Sequence, residues 1–286
     1  MPTCDVCFRH CRLTEGQLGF CGARVCKDGQ IQPYHYGRVS GLALDPIEKK
    51  PLSRFCPGSM ILSVGSFGCN LHCPFCQNHD ISWSEEARHY AGSAKCISPG
   101  ELADLAVSLR SRGNIGLAFT YNEPLCSYEF VRDTAKLVKE KGMKTVLVTN
   151  GTAELKIFNE LTPWIDAMNI DLKGFTDRYY EEVLCGNRQQ VMDFIREAVM
   201  HCHVELTTLI VPGENDAEEE MMALSSWIAG IKDAHGETVG QEIPLHISRF
   251  FPRFLMTDRE ATDVSLVYRL ADVARKNLRY VYTGNC

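Results

Sequence analysis

Cys69-Asn70-Leu71-His72-Cys73-Pro74-Phe75-Cys76 sets three thiols at C-x3-C-x2-C spacing, straight after the apolar run Met60-Ile61-Leu62-Ser63-Val64. Iron–sulfur clusters are held by cysteine thiolates, usually four to a cluster. Three at this spacing wrap three corners of a cubane and leave one iron open to another ligand. A structural zinc loop is the competing reading. Zinc takes four nitrogen or sulfur ligands, commonly from two paired C-x2-C elements, and here the fourth would have to be His72 or a distant residue. An apolar strand that hands such a loop to its C-terminal end decides the fold, because that end is where α/β barrels carry their active sites.

Outward from this loop the chain alternates apolar runs with amphipathic segments, which predicts βα units around a parallel sheet. Strands are expected over residues 61–66, 117–120, 144–148, 167–172, 204–211 and 244–248, with a last short one over 280–282. Ser98-Pro99-Gly100-Glu101 reads as a capping box with proline at the first helical position. Helices are expected after it, over 128–141, behind a cap at Asp216 to Glu219, and over 262–277, whereas residues 78–97 show no periodicity and read as a loop. The expected division is a cysteine-rich segment over 1–58 and a barrel over 59–286.

The leading segment carries Cys4-x2-Cys7-x3-Cys11-x9-Cys21, with Gly16, Gly19 and Gly22 supplying turns. It is too short to own a hydrophobic core, so a metal is expected to fold it: structural zinc or an auxiliary iron–sulfur cluster. Cys26 and Cys56 fall outside the pattern, and Cys126, Cys185, Cys202 and Cys286 read as scattered packing thiols. Residues 34–36 and 39–44 read as short strands ended by Asp45-Pro46 and Pro51.

The chain has 286 residues, a formal net charge of −6 and fourteen cysteines. No basic block is present, which argues against general nucleic-acid binding. No signal-peptide pattern and no apolar stretch of membrane-spanning length appear, so the expectation is a cytoplasmic protein whose cysteines serve metals rather than disulfides.

With Phe75 just before its last cysteine, the C-x3-C-x2-C loop resembles the signature of the radical S-adenosylmethionine (SAM) superfamily. Asp45-Pro46-Ile47-Glu48-Lys49-Lys50-Pro51, the cysteine knuckle and Cys73-Pro74-Phe75-Cys76-Gln77-Asn78 together resemble the radical SAM member of the AmmeMemoRadiSam system, kin of pyruvate formate-lyase activating enzymes, over essentially the whole chain. The resemblance implies an incomplete (β/α)6 barrel and a [4Fe-4S] cluster on Cys69, Cys73 and Cys76. It implies SAM chelated to the open iron, reductive cleavage to a 5′-deoxyadenosyl radical, and hydrogen-atom abstraction. Where the family has Gly-Gly-Glu-Pro against the SAM amino group, this chain has Tyr121-Asn122-Glu123-Pro124. Glu123 is the expected acceptor there, its alternative being a glutamate that favours a helix N-terminus. Thr149-Asn150-Gly151 resembles the family's turn beside SAM, and His246 falls where activating enzymes contact the ribose. Strand alternation puts Asp171 and Lys173 on one face, as a pair for a zwitterionic amino acid or as a barrel-mouth salt bridge.

The expected substrate is a protein or peptide. A small molecule or nucleotide, or a non-catalytic electron carrier, stand as alternatives. A low-potential reductant, flavodoxin or ferredoxin, is implied. Arg38-Val39-Ser40-Gly41-Leu42-Ala43 also resembles the loop around the radical glycine of glycyl radical enzymes, either as a mimic of a substrate or as a chance match.

Overall fold

The computed structural model describes the backbone of residues 1–286 and every side chain except those of residues 88 and 89. Among the described residues the elements run β1 Arg24–Lys27, β2 Gln30–Pro33, β3 Gly41–Pro46, β4 Met60–Gly65, α1 His79–Ser82, α2 Glu85–Ser93, α3 Pro99–Ser108, β5 Asn114–Phe119, α4 Tyr128–Glu140, β6 Lys144–Thr149, α5 Leu155–Leu161, β7 Ala167–Asp171, α6 Arg188–Val199, β8 His203–Ile210, α7 Glu218–Ala229, β9 Leu245–Arg249, α8 Val264–Ala274 and β10 Val281–Gly284. β1 and β2 form an antiparallel hairpin; the remaining strands make one eight-stranded sheet in the order β10-β9-β8-β7-β6-β5-β4-β3. Every pairing from β4 to β10 is parallel, and β3 alone runs antiparallel, against β4. β3 and β10 are the two edges, so the sheet does not close on itself. The parallel sheet is the one expected from the βα alternation, and its open edges match the partial barrel that the resemblance implies.

Alternate residues of the parallel strands divide between two faces. Leu62, Leu117, Leu147, Met168, Ile170, Leu206 and Ile247 point to the helices and share a core with Phe130, Phe158 and Phe194. The helices meet them because their apolar residues recur at helical spacing, as Phe130, Val131, Thr134, Ala135 and Val138 do in α4. The opposite face carries Ile61, Ala118, Val146 and Ala167, which pack on the fully buried Ile47 and Leu52. Residues 47–54 therefore cross beneath several strands and fill the floor of the barrel. Burying each of those two aliphatic side chains stabilises by roughly 1.5–3 kcal/mol. Polar ties fix the segment: Asn169 Nδ2 donates to the Pro51 carbonyl at 2.8 Å, and the N–H groups of Ser53 and Arg54 donate to Glu205 at 2.9 and 2.7 Å.

Several local expectations are corrected. Residues 34–36 form no strand, and the next strand is Gly41–Pro46, which starts two residues later than expected and ends at Pro46, with Asp45 and Pro46 as its last paired residues. Proline lacks a backbone donor, and an edge strand tolerates that. Residues 78–97 are not a loop throughout, because α1 and α2 lie within them. Asp216 does not cap α7: its Oδ2 accepts from Gly213 N–H, and Ala217 is the N-cap. α8 begins at Val264, where Asp263 accepts from the N–H groups of Ser265 and Leu266. The capping box forms as expected, with Ser98 N–H donating to Glu101 and Glu101 N–H donating back to Ser98 Oγ. No helix among the described residues is long and apolar enough to cross a membrane.

Candidate active site

The C-terminal ends of β4 to β9 open into a cavity of about 370 Å³. Cys69, Cys73 and Cys76 line one wall, with Phe75 among them, buried and edge-on to Phe250. Burial raises the pKa of all three thiols, that of Cys73 to about 12, so metal binding here must displace protons. The loop is anchored at its start and at its middle. Cys69 N–H donates to the Cys21 carbonyl at 3.1 Å, and His72 N–H to the Leu184 carbonyl at 3.0 Å. Gly68 makes the first contact possible. It sits at φ +96°, and a Cβ there would lie 2.7 Å from both Ala23 Cβ and the Cys21 carbonyl.

The facing loop after β5 is stapled to the cysteine loop by Asn122. Its Oδ1 accepts from Ser66 N–H at 3.0 Å and its Nδ2 donates to the Gly68 carbonyl at 3.0 Å. Glu123 is buried with both oxygens engaged. Thr149 Oγ1 and Leu125 N–H donate to Oε1 at 2.7 and 3.0 Å, and Asn150 N–H donates to Oε2 at 2.7 Å. Burial pushes its pKa up against these donors, to about 7. Glu123 thus caps the short 3₁₀ turn Pro124–Ser127 and also reaches the cavity. Asn150 extends the chain of contacts, donating from Nδ2 to Asn70 Oδ1 at 2.9 Å and toward Cys69 Sγ at 3.8 Å. At the end of β7, Lys173 Nζ meets Asp171 Oδ2 at 2.8 Å. Burial works against the ammonium, but Asp171 outweighs it and holds the pKa of Lys173 well above its ordinary value.

All the cysteines of the first loop, and Phe75, Asn122, Glu123, Asn150, Asp171 and Lys173, are brought to this one cavity. His246 is not. Its Nε2 bonds Glu205 Oε2 at 2.7 Å and its ring stacks on Tyr282, one strand layer below Ser248, which does line the cavity. Gly41 lies on the edge strand paired with Gly65, also outside the cavity lining. The residues sequence reasoning missed are Lys49 and Lys50, which line the cavity from the floor segment, and Tyr121, which it had passed over as a departure from glycine. The signal was present in Asp45-Pro46-Ile47-Glu48-Lys49-Lys50-Pro51, read as a strand ending and as a family motif but not as part of the cavity wall.

Cys4, Cys7, Cys11 and Cys21 line a second, small cavity, and the structure adds a fifth thiol to it, Cys126, hydrogen-bonded to Cys21. Cys26 turns instead toward Glu15, and Cys56 is exposed. Among the described residues no three metal-ligating side chains are already drawn together as closely as around a bound ion. The donor set of the first cavity nonetheless fits a cluster with one open iron. It has three thiols, and its other walls carry a buried carboxylate and an ammonium–carboxylate pair suited to an amino-acid moiety.

The family model of the radical SAM superfamily matches residues 63–225. An uncharacterized protein of Methanocaldococcus jannaschii is 35% identical over 285 residues, 99% of this chain and 80% of that protein. The pyruvate formate-lyase-activating enzyme of Clostridium pasteurianum is 27% identical over 171 residues, 58% of this chain and 68% of that enzyme. Among solved structures, Streptococcus suis SuiB bound to the precursor peptide SuiA superposes with a TM-score of 0.58 at 10% identity, over 77% of this chain and 47% of that one, a likeness of fold. The chain is therefore an enzyme of the radical SAM superfamily, similar to the activating enzymes of pyruvate formate-lyase, and the family implies a [4Fe-4S] cluster and SAM as its cofactors.

Proposed function

We propose that this enzyme abstracts a hydrogen atom from a protein or peptide substrate, as a glycyl-radical activating enzyme does. The observation that carries the reading is the single cavity in which three cysteines face Glu123 and the Asp171–Lys173 pair at the strand ends. Cys69, Cys73 and Cys76 hold the cluster, which with SAM supplies one-electron cleavage of a carbon–sulfur bond and a 5′-deoxyadenosyl radical. Glu123 accepts from the SAM ammonium. Lys173, oriented by Asp171, pairs with its carboxylate. Asn122 and Asn150 hold the two loops in register through the bonds to Gly68 and Asn70. Phe75 shields the cysteine loop from water. No side chain needs to act as acid or base. The open sheet supports a bulky substrate such as a peptide loop. Cys4, Cys7, Cys11 and Cys21 hold zinc or an auxiliary cluster, and a flavodoxin or ferredoxin supplies the electron in the cytoplasm.

The test is anaerobic reconstitution with iron and sulfide, a count of iron and zinc, and assay of 5′-deoxyadenosine with SAM and dithionite. Cys73→Ala should lose about four irons per chain and all product. Deuterium passing from a labelled partner protein into 5′-deoxyadenosine supports the protein substrate. Deuterium passing only from metabolites refutes it.

A further inference from the structure

Beside the cysteine loop, the floor segment presents a cationic corner that the chemistry above does not use. Lys50 Nζ meets Asp45 Oδ2 at 3.0 Å, Lys49 Nζ lies 3.5 Å from Asp45 Oδ1, and Tyr121 Oη donates to Asp45 Oδ2 at 2.9 Å. The Lys50 ammonium also sits 4.7 Å from the centre of the Tyr121 ring. Two ammonium groups share one carboxylate, so one positive charge remains. Both lysines line the cavity and Asp45 does not.

We propose that Lys50 anchors a carboxylate carried by the substrate, placed beside the SAM site in the same cavity. The inference rests on the radical SAM reading given above and adds the chemical class of group that the substrate must present. Lys50 is 3% exposed, yet among the described residues Asp45 accepts the one hydrogen bond its ammonium makes. An ammonium has three donors, and a buried charge is costly unless fully partnered. Burial accordingly pulls the pKa of Lys50 down by more than Asp45 restores, and a second anion at the cavity surface supplies what is missing. The corner is also held under strain. Tyr121 sits at φ +76°, an uncommon conformation for a residue with a side chain. Its ring fits only because residue 65 is glycine, where a Cβ would lie 2.8 Å from Tyr121 Cδ2. Such strain persists where surrounding contacts over-determine it, commonly at ligand sites. One surplus charge matches a carboxylate better than a phosphate dianion, and no arginine among the described residues lines the cavity to offer the planar fork that phosphate sites favour.

The experiment uses the reconstituted protein with SAM bound, under anaerobic calorimetry, and two matched pairs of probes. Glutarate against glutaramide represents a free metabolite; acetyl-Gly-Glu-Gly-amide against acetyl-Gly-Gln-Gly-amide represents a peptide. In at least one pair the carboxylate should bind about tenfold more tightly than its amide, and Lys50→Met should bring the two within about twofold. The pair that discriminates identifies the source of the carboxylate. Equal binding of carboxylate and amide to the unaltered protein, no binding of any probe, or discrimination that survives Lys50→Met overturns the proposal. The first two outcomes need no variant to fold. The same preparation is assayed for 5′-deoxyadenosine: its absence refutes the proposed SAM cleavage on which the anchor rests, whereas its presence without discrimination refutes only the anchor.

Discussion

Glu205→Gln should loosen the floor of the barrel, and its cost can be worked in two ways. Glu205 is fully buried on β8, and each of its oxygens takes one backbone N–H and one imidazole. Arg54 N–H and His203 Nε2 donate to Oε1 at 2.7 and 3.0 Å; Ser53 N–H and His246 Nε2 donate to Oε2 at 2.9 and 2.7 Å. A glutamine keeps the shape but puts an NH₂ where one oxygen was. An imidazole can change tautomer to accept from it; a backbone N–H cannot, so at least one donor is left facing a donor in a dry site. Losing hydrogen bonds to a buried charge costs about 1.5–3 kcal/mol each, which suggests about 3 kcal/mol in all. Seen through the same four bonds, burial raises the pKa of Glu205, but the donors outweigh it and lower the value from 4.5 to about 2. At about 1.4 kcal/mol per unit, that shift is worth about 3–4 kcal/mol, in line with the first figure. A chain of 286 residues unfolds with an entropy of about 0.6 kcal/mol/K, so the melting temperature should fall by about 5 °C. The sign of the pH dependence follows from the depressed folded pKa. The stabilisation is fully present above the unfolded value of 4.5 and is lost as pH falls from there toward 2. Melts of both proteins across that window should therefore converge at the acid end. A gap that stays constant with pH, or is under about 0.5 kcal/mol at neutral pH, would refute the carboxylate as the latch of the floor.

Glu123→Gln removes the charge opposite the SAM ammonium while keeping most contacts of the turn, and should weaken SAM binding about tenfold by equilibrium dialysis; unchanged affinity would remove Glu123 from the site. Gly65→Ala should cost about 2 kcal/mol in urea unfolding, because its Cβ overlaps Ser40 and Tyr121. Part of that loss should return in the double variant with Tyr121→Gly, which leaves the overlap with Ser40 in place, and strict additivity would disprove the contact with Tyr121. Gly68→Ala forces a Cβ against Ala23 and the Cys21 carbonyl, so the knuckle should part from the cysteine loop and be cut by protease faster than in the unaltered protein, with unchanged cleavage counting against that junction.

What was legible in the sequence is what local spacing determines. The thiols of Cys69 to Cys76, the strand behind them and the Asp171–Lys173 alternation all depend on neighbours a few residues apart, and the thiols and the ion pair arrive in one cavity. What was illegible depends on tertiary partners. Alternation on β9 gives the face of His246 but not its depth, and one layer separates the cavity at Ser248 from the latch at Glu205. Cys126 looked like a packing thiol because Cys21, its partner, lies more than a hundred residues away. Lys50 carried no local signal of burial. Its burial follows from the turn Ile47–Lys49, which folds it back onto Asp45.

The stretch Asp45-Pro46-Ile47-Glu48-Lys49-Lys50-Pro51 then finds one explanation in two demands on the same residues. An open sheet exposes the apolar side of its strands from below, and something must cover it. Ile47 and Leu52 do so, in contact with Ile61, Ala118, Val146 and Ala167. The same segment must leave the upper half of the barrel free for ligand, so it cannot be a bulky apolar plug throughout. Its polar residues face upward as Lys49 and Lys50, and its backbone is bound sideways by Asn169 and Glu205. The site and the floor are therefore mechanically one piece. Shifting Ser53 and Arg54 off Glu205 moves the lysines that line the cavity, so Glu205→Gln should weaken the carboxylate preference measured for Lys50 even though Glu205 itself lies below the cavity. A preference unchanged in that variant would mean that the Asp45–Tyr121 bond alone holds the corner in place.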